Sequence, residues 1–248
     1  MKDQDAYGHE LWDHFRGIDA NETIERGDGY IDSSSGPRAY FSPYKKWPQV
    51  EKRALTLSKG RVLDVGCGAG RIGIYLQNKK NLEVIGIDNS PLAIKVSESR
   101  GLRKTELVPF QEINFPPSFF DTVIMFGNNF GLFASKKKAK IMLKKLYRMT
   151  SSTAILLCES VNPYQTKSPD HLAYQKENRA KGRMSGQLRI RVRYRKYVGK
   201  WFDYLIVSPR EMKEIVSGTG WKVSRIMKSR SGPLYIGVIT KDQRLDND

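Results

Sequence analysis

Cysteine and histidine are scarce in these 248 residues, and that scarcity removes whole classes of chemistry. The two cysteines, Cys67 and Cys158, lie far apart and suggest no disulfide framework. The three histidines, His9, His14 and His171, fall in no metal-ligand spacing, and there is no Cys-x-x-Cys. Metal catalysis is therefore disfavoured, and no metal is expected. No run of about eighteen apolar residues occurs, so no membrane span is expected. The opening Met1-Lys2-Asp3-Gln4-Asp5 lacks the apolar core of a signal peptide, which points to a cytoplasmic protein. Internal repeats and low-complexity tracts are also missing.

Charge is plentiful but unevenly placed. Residues 1–124 hold 17 Lys/Arg against 17 Asp/Glu, whereas residues 125–248 hold 26 against 9, so the net +17 lies in the second half. Residues 1–32 alone carry nine acids and three bases. Such asymmetry fits an anionic partner, nucleic acid or an acidic small molecule, and it equally fits solvated helix faces.

Hydrophobic patterning divides the chain into one domain, 1–248, with four parts. Residues 1–58 form a polar, turn-rich extension with a short helix near 7–16 and a second helix stopped by Lys59-Gly60. Residues 59–160 alternate strand and helix: strands at 61–65, 82–88, 105–110, 120–126 and 153–158, and helices at 71–77, 91–100 and 134–149. Ser90-Pro91 supplies an N-cap and a first-turn proline. Residues 161–207 interrupt the alternation with a helix near 170–181 and a β-hairpin. The segment Leu188-Arg189-Ile190-Arg191-Val192-Arg193-Tyr194 has period two, and Tyr197–Trp201 is expected to turn the chain into 202–207. Residues 208–240 begin with the capping box Ser208-Pro209-Arg210-Glu211 and close with two strands. The expected fold class is α/β: a doubly wound, mostly parallel seven-stranded sheet with helices on both faces. It carries an antiparallel last strand, a β-hairpin insertion and an N-terminal extension.

Chemistry concentrates in Val62-Leu63-Asp64-Val65-Gly66-Cys67-Gly68-Ala69-Gly70-Arg71. A glycine turn between strand and helix lets a ligand lie against bare backbone at the helix N-terminus. The spacing is G-x-G-x-G, not the dinucleotide G-x-G-x-x-G. A carboxylate at Asp64 repels a pyrophosphate but suits an ammonium or sulfonium. Asp88 ends the next strand, where a carboxylate can accept from both hydroxyls of a ribose. This run, with Gly86-Ile87-Asp88-Asn89-Ser90-Pro91 and Phe120-Asp121-Thr122-Val123-Ile124, resembles the class I S-adenosylmethionine-dependent methyltransferases, specifically over about 55–160.

The resemblance implies S-adenosylmethionine as cofactor and S-adenosylhomocysteine as product. It places the methionine moiety at Asp64 and the backbone of Gly66 and Gly68, the ribose at Asp88 with Asn89 bordering the adenosine, and counts Cys67 and Gly70 among the cofactor-binding residues. Cys67 is read as a small residue fitted to the loop rather than a nucleophile. Arg71 can reach a carboxylate or simply face water. Gln111 or Glu112 could meet the adenine, and the family's usual acid there is not clearly present. Phe126-Gly127-Asn128-Asn129-Phe130 is the loop that family members present to the methyl group. It lacks the Asn-Pro-Pro-Tyr tetrad; Asn128 and Asn129 could orient an acceptor or the cofactor, but neither is a strong base. Substrate contacts are expected from Tyr40, Tyr44, Arg191 and Arg193, although arginines also blunt strand edges. Methyl transfer is an in-line displacement that alignment and desolvation can drive. The expected acceptor is a small molecule. RNA methylation and non-catalytic binding of the cofactor are the alternatives, and Asp88→Ala is expected to weaken cofactor binding with the fold intact.

Overall fold

A computed structural model describes residues 5–33 and 36–242; Met1–Gln4 and Ser34–Ser35, on which parts of the sequence reading fall, lie outside the described residues. The chain begins α1 (Ala6–Phe15), β1 (Thr23–Arg26), β2 (Ile31–Ser33), α2 (Gly36–Tyr40), α3 (Gln49–Leu55). It continues β3 (Arg61–Val65), α4 (Arg71–Lys79), β4 (Glu83–Asp88), α5 (Pro91–Ser99), β5 (Thr105–Leu107), β6 (Phe120–Met125) and α6 (Lys136–Met149). Then come β7 (Thr150–Val161), α7 (Pro169–Ala180), β8 (Gln187–Tyr194), β9 (Tyr197–Val198) and β10 (Phe202–Leu205). The described chain closes with α8 (Pro209–Val216), β11 (Trp221–Lys228) and β12 (Leu234–Lys241).

Seven strands form one sheet in the order β11-β12-β7-β6-β3-β4-β5. The pairs β4/β5 and β6/β7 are parallel, while β12 runs antiparallel to both β7 and β11. This is the mostly parallel α/β sheet expected. Local signals account for much of it. Ser90 Oγ accepts from Ala93 N with Pro91 in the first turn, and Ser208 and Glu211 form the reciprocal capping box. Such caps are each worth about 1 kcal/mol.

A second sheet was not foreseen. Its order is β10-β8-β1-β2, with β9 also on β8. β1 pairs antiparallel with β8, Glu25 opposite Arg191. The expected hairpin is thus part of a larger sheet built with the N-terminal segment, and its tight turn falls at Arg195-Lys196, not at 197–201. The four residues of β1 (Thr-Ile-Glu-Arg) carry no alternation long enough to announce a strand.

The chain divides into two compact units. One comprises residues 1–47, 63–113 and 189–202; the other 48–62, 114–188 and 203–248. In the first, Leu63, Val65, Leu76, Ile87 and Val96 are fully buried. In the second, Val123, Ile124, Leu156, Leu157, Ile239 and Trp221 are, with Trp221 Nε1 donating to Leu143 O at 2.9 Å. Each such apolar side chain contributes roughly 1.5–3 kcal/mol of burial.

Gly60 does not stop a helix, because α3 ends at Leu55. It turns the chain into β3 with φ +58°, and a Cβ there would lie 2.0 Å from Asp121 Oδ2. That carboxylate accepts from Arg61 N at 3.0 Å and Ser151 Oγ at 2.7 Å, so it cannot yield without breaking both bonds. Gly60→Ala is therefore expected to cost about 3 kcal/mol. Urea unfolding should show a lower midpoint with an unchanged slope.

Candidate cofactor site

β3 ends in Val65, and the chain then makes a glycine turn into α4. Gly66 N and Cys67 N both donate to Ile87 O, at 2.9 and 3.0 Å, which fastens the turn to β4. Gly70, with φ +74°, caps α4 with no side chain, so the first-turn N–H groups need other acceptors, one of which is Asp64. Gly68 has φ +53°, and a Cβ on it would stand 2.6 Å from the Tyr7 hydroxyl. A side chain here would push Tyr7 off the turn.

Two carboxylates flank this turn, and both are buried. Asp64 Oδ2 accepts from Gly73 N at 3.1 Å, and burial pushes its carboxyl up to about 7. Asp88 Oδ2 accepts from Gly68 N at 3.0 Å and Oδ1 from Ser90 N at 3.0 Å. Burial raises Asp88 to about 6 despite those bonds. Each carboxylate keeps lone pairs for a ligand, since an ionised carboxyl has about four acceptor sites. Carboxylates desolvated this way favour a cation beside them. Burial lifts the Cys67 thiol well above its ordinary range, so it is neutral and no nucleophile.

Arg71 opens α4, and its guanidinium lies 4.6 Å from the centre of the Trp47 ring. Tyr44 stacks on Tyr75 at 4.4 Å and meets Trp47 at 5.2 Å. Asn89 is exposed just past β4; Gln111 is exposed in the 3₁₀ turn Phe110–Glu112 that follows β5. Tyr40 Oη donates to Glu22 at 3.2 Å. Arg191 Nε and Arg193 Nη1 both donate to Glu25 Oε2, at 2.8 and 2.6 Å. These bonds, Arg191's first, hold Glu25 down to about 2. The two arginines therefore have a protein carboxylate as partner, and Arg191 also lies 4.4 Å from the Trp201 ring.

Sequence reading missed the cover over the glycine turn. Asp5 caps α1 through Gly8 N at 2.9 Å, and its other oxygen accepts from Ser90 Oγ at 2.6 Å. The bond bolts α1 to the start of α5 and sets Tyr7 over Gly68. Glu10 is wholly buried beside Glu22, and burial, then the Glu22 charge, pushes it up to about 9. An aspartate three residues before a glycine at a helix start was the available signal for the cap; nothing local announced its tie to Ser90.

In the second unit, Asn128 and Asn129 follow β6. Asn128 has φ +66°, and Asn129 starts the 3₁₀ turn Asn129–Phe133. Among the described residues no cluster of three or more His, Cys, Asp or Glu is disposed to hold a metal ion, and no helix is long and apolar enough to cross a membrane.

Residues 62–152 match the family model described as a methyltransferase domain. A solved SAM-dependent methyltransferase from Bacteroides fragilis, in complex with S-adenosyl-L-homocysteine, superposes with a TM-score of 0.81 at 23% identity, covering 96% of this chain and 95% of that one. Over residues 62–152 the chain is thus similar to methyltransferase domains, and its fold is that of the solved SAM-dependent methyltransferases. A second member of that fold, from Methanosarcina mazei, gives a TM-score of 0.60 at 18% identity over 79% of this chain and 97% of its own. The Bacillus subtilis (strain 168) protein YqeM, which carries methyltransferase in its name, is 28% identical over 120 residues, 47% of this chain and 48% of its own. A Geobacillus sp. (strain WCH70) protein of like name is 23% identical over 53% of this chain and 55% of its own. The chain thus spans about half the length of the curated relatives it matches.

Proposed function

We propose that this protein transfers the methyl group of S-adenosylmethionine to a small-molecule acceptor. The observation that carries the reading is the pair of buried carboxylates, Asp64 and Asp88, on either side of a bare glycine turn whose Gly68 lies under the Tyr7 hydroxyl, too close for a Cβ. The methyltransferase-domain match over residues 62–152 supports it, as does the S-adenosyl-L-homocysteine held by the Bacteroides fragilis protein of like fold.

The residues fit that cofactor. Asp64 would face the ammonium of the methionine moiety, with Gly66, Cys67, Gly68 and Gly70 as its backbone floor and Arg71 at the helix start toward its carboxylate. Asp88 would accept from the ribose hydroxyls through lone pairs that Gly68 N and Ser90 N leave open, with Asn89 and Gln111 bordering the base. Bound there, the cofactor supplies a methyl carbon already activated by a sulfonium. The acceptor's lone pair forms the new bond to carbon, the carbon–sulfur pair stays on sulfur, and the acceptor's proton leaves to water. The chain's part is alignment and exclusion of water, a task that Tyr40, Tyr44 and the Arg191/Arg193 strand would share; Asn128 and Asn129, taken by themselves, would orient an acceptor.

Incubation with methyl-labelled S-adenosylmethionine and fractionated cell extract tests this. Label is expected in the low-molecular-weight fraction. Label in RNA, or tight S-adenosylhomocysteine binding with no labelled product in any fraction, would overturn it.

A further inference from the structure

Asn128 is held by more than its own turn needs. Its carbonyl already accepts from Gly131 N at 2.9 Å, which closes the turn. Two side chains from distant strands grip the peptides on either side of its Cα. Glu159, buried in β7, accepts from Asn128 N through Oε1 at 2.7 Å. Tyr204, in β10, donates from its hydroxyl to Asn128 O at 2.6 Å. The Tyr204 ring lies so close to Gly131 that a Cβ there would fall 2.2 Å from Cζ. The residue so gripped is a non-glycine in the left-handed region, next to Gly127 at φ +71°.

Such a conformation persists where the surroundings over-determine it, and it clusters where a side chain must be aimed. Asn128 also lies just past the carboxyl end of β6, the end of a parallel sheet at which ligands bind. Its Oδ1 is buried and accepts no hydrogen bond among the described residues, a deficit that a donor on an incoming molecule would relieve.

Resting on the methyltransferase reading above, we infer that Glu159 and Tyr204 are positioning residues that fix the Asn128 amide for an acceptor bearing an N–H or O–H donor. Neither need touch the acceptor. They act by denying Asn128 its alternative backbone states, so their loss scatters the amide without disturbing Asp64 or Asp88.

The test compares wild type with Tyr204→Phe, Glu159→Ala, Glu159→Gln and Asn128→Gly. Each is assayed for S-adenosylhomocysteine affinity, melting temperature and rate of label transfer into the extract fraction that wild type methylates. Affinity should stay within about twofold of wild type throughout, while Tyr204→Phe, Glu159→Ala and Asn128→Gly lose about 10- to 100-fold in rate at saturating acceptor. Glu159→Gln keeps a carbonyl that can accept from Asn128 N, and should recover most of the rate. Asn128→Gly should melt no lower than wild type, because glycine suits φ +66°, so its loss of rate cannot come from unfolding. Folded Tyr204→Phe and Asn128→Gly proteins that transfer label at the wild-type rate would overturn the inference. If Glu159→Ala fails to fold, Tyr204→Phe decides, since it removes a single hydroxyl. Failure of wild type itself to bind S-adenosylhomocysteine or transfer label is a separate result, and it sinks the underlying reading.

Discussion

Asp88→Ala should lose at least about 100-fold in S-adenosylhomocysteine affinity and, in the same protein, about 2–4 kcal/mol of stability. The second loss departs from what the sequence suggests. Read from the motif alone, Asp88 is a ligand for a ribose and is expendable to the fold. In the structure its two oxygens hold Gly68 N and Ser90 N, both in buried surroundings. Truncation leaves two N–H groups without acceptors, each at a cost of about 1–3 kcal/mol, which entering water offsets in part. The turn that should carry the cofactor also loses one of its ties to the end of β4, the Gly66 N and Cys67 N bonds to Ile87 O remaining. Asp88→Asn keeps one acceptor oxygen and turns an amide donor toward the other N–H, so it should fall between wild type and alanine in urea unfolding. Calorimetric titration with S-adenosylhomocysteine separates the two roles. A destabilised Asp88→Ala protein that keeps wild-type affinity would leave Asp88 a brace and nothing more.

Affinity for S-adenosylmethionine should climb between about pH 5.5 and 7.5 and level off above, by up to about tenfold per pH unit for each group titrating. Without ligand, burial raises Asp64 to about 7 and Asp88 to about 6. Below those values each carboxyl keeps its proton and offers a cation no charge; above them the charge is present and the cation stabilises it. Binding at pH 6.5 should therefore release protons, which calorimetry in buffers of different ionisation enthalpy will count. The ligand-free protein should behave oppositely. Its unfolded carboxyls ionise near pH 4, well below the folded ones, so the unfolded chain binds fewer protons between pH 4 and 7. These two groups therefore take stability away as pH rises through that window. Asp64→Asn should remove the upper part of the affinity slope, and a flat profile in wild type would mean that neither carboxylate meets the cation.

What could be read in the sequence was local. The Asp64–Arg71 turn, Asp88 at a strand end, Ser90-Pro91 and Ser208–Glu211 each declare themselves within ten residues, because strand, turn and cap chemistry act at that range. The pieces that escaped join distant positions. Ser90 gives no sign that Asp5 will reach it, nor Gly68 that Tyr7 will lie over it. The arginines of β8 read either as a wall for an anion or as guards of a strand edge, yet their partner is Glu25, 166 residues from Arg191 in a strand too short to show a period. Asn128 stood out as an asparagine in a loop, but its grip by Glu159 and Tyr204 depends on strands that pack beside it only once the chain has folded.

The pairing of β1 with β8 also sets an order on biosynthesis. Thr23–Arg26 leaves the ribosome long before Ile190–Arg193, the stretch that will complete its hydrogen-bonding row. Throughout that interval the nascent strand offers open backbone to any neighbour. Glu25 and Arg26 within it, and Asp28 and Asp32 just beyond, put charge along that edge and discourage wrong partners. Closure over so long a loop is slow, so the small sheet should settle well after its own β1–β2 pair has formed.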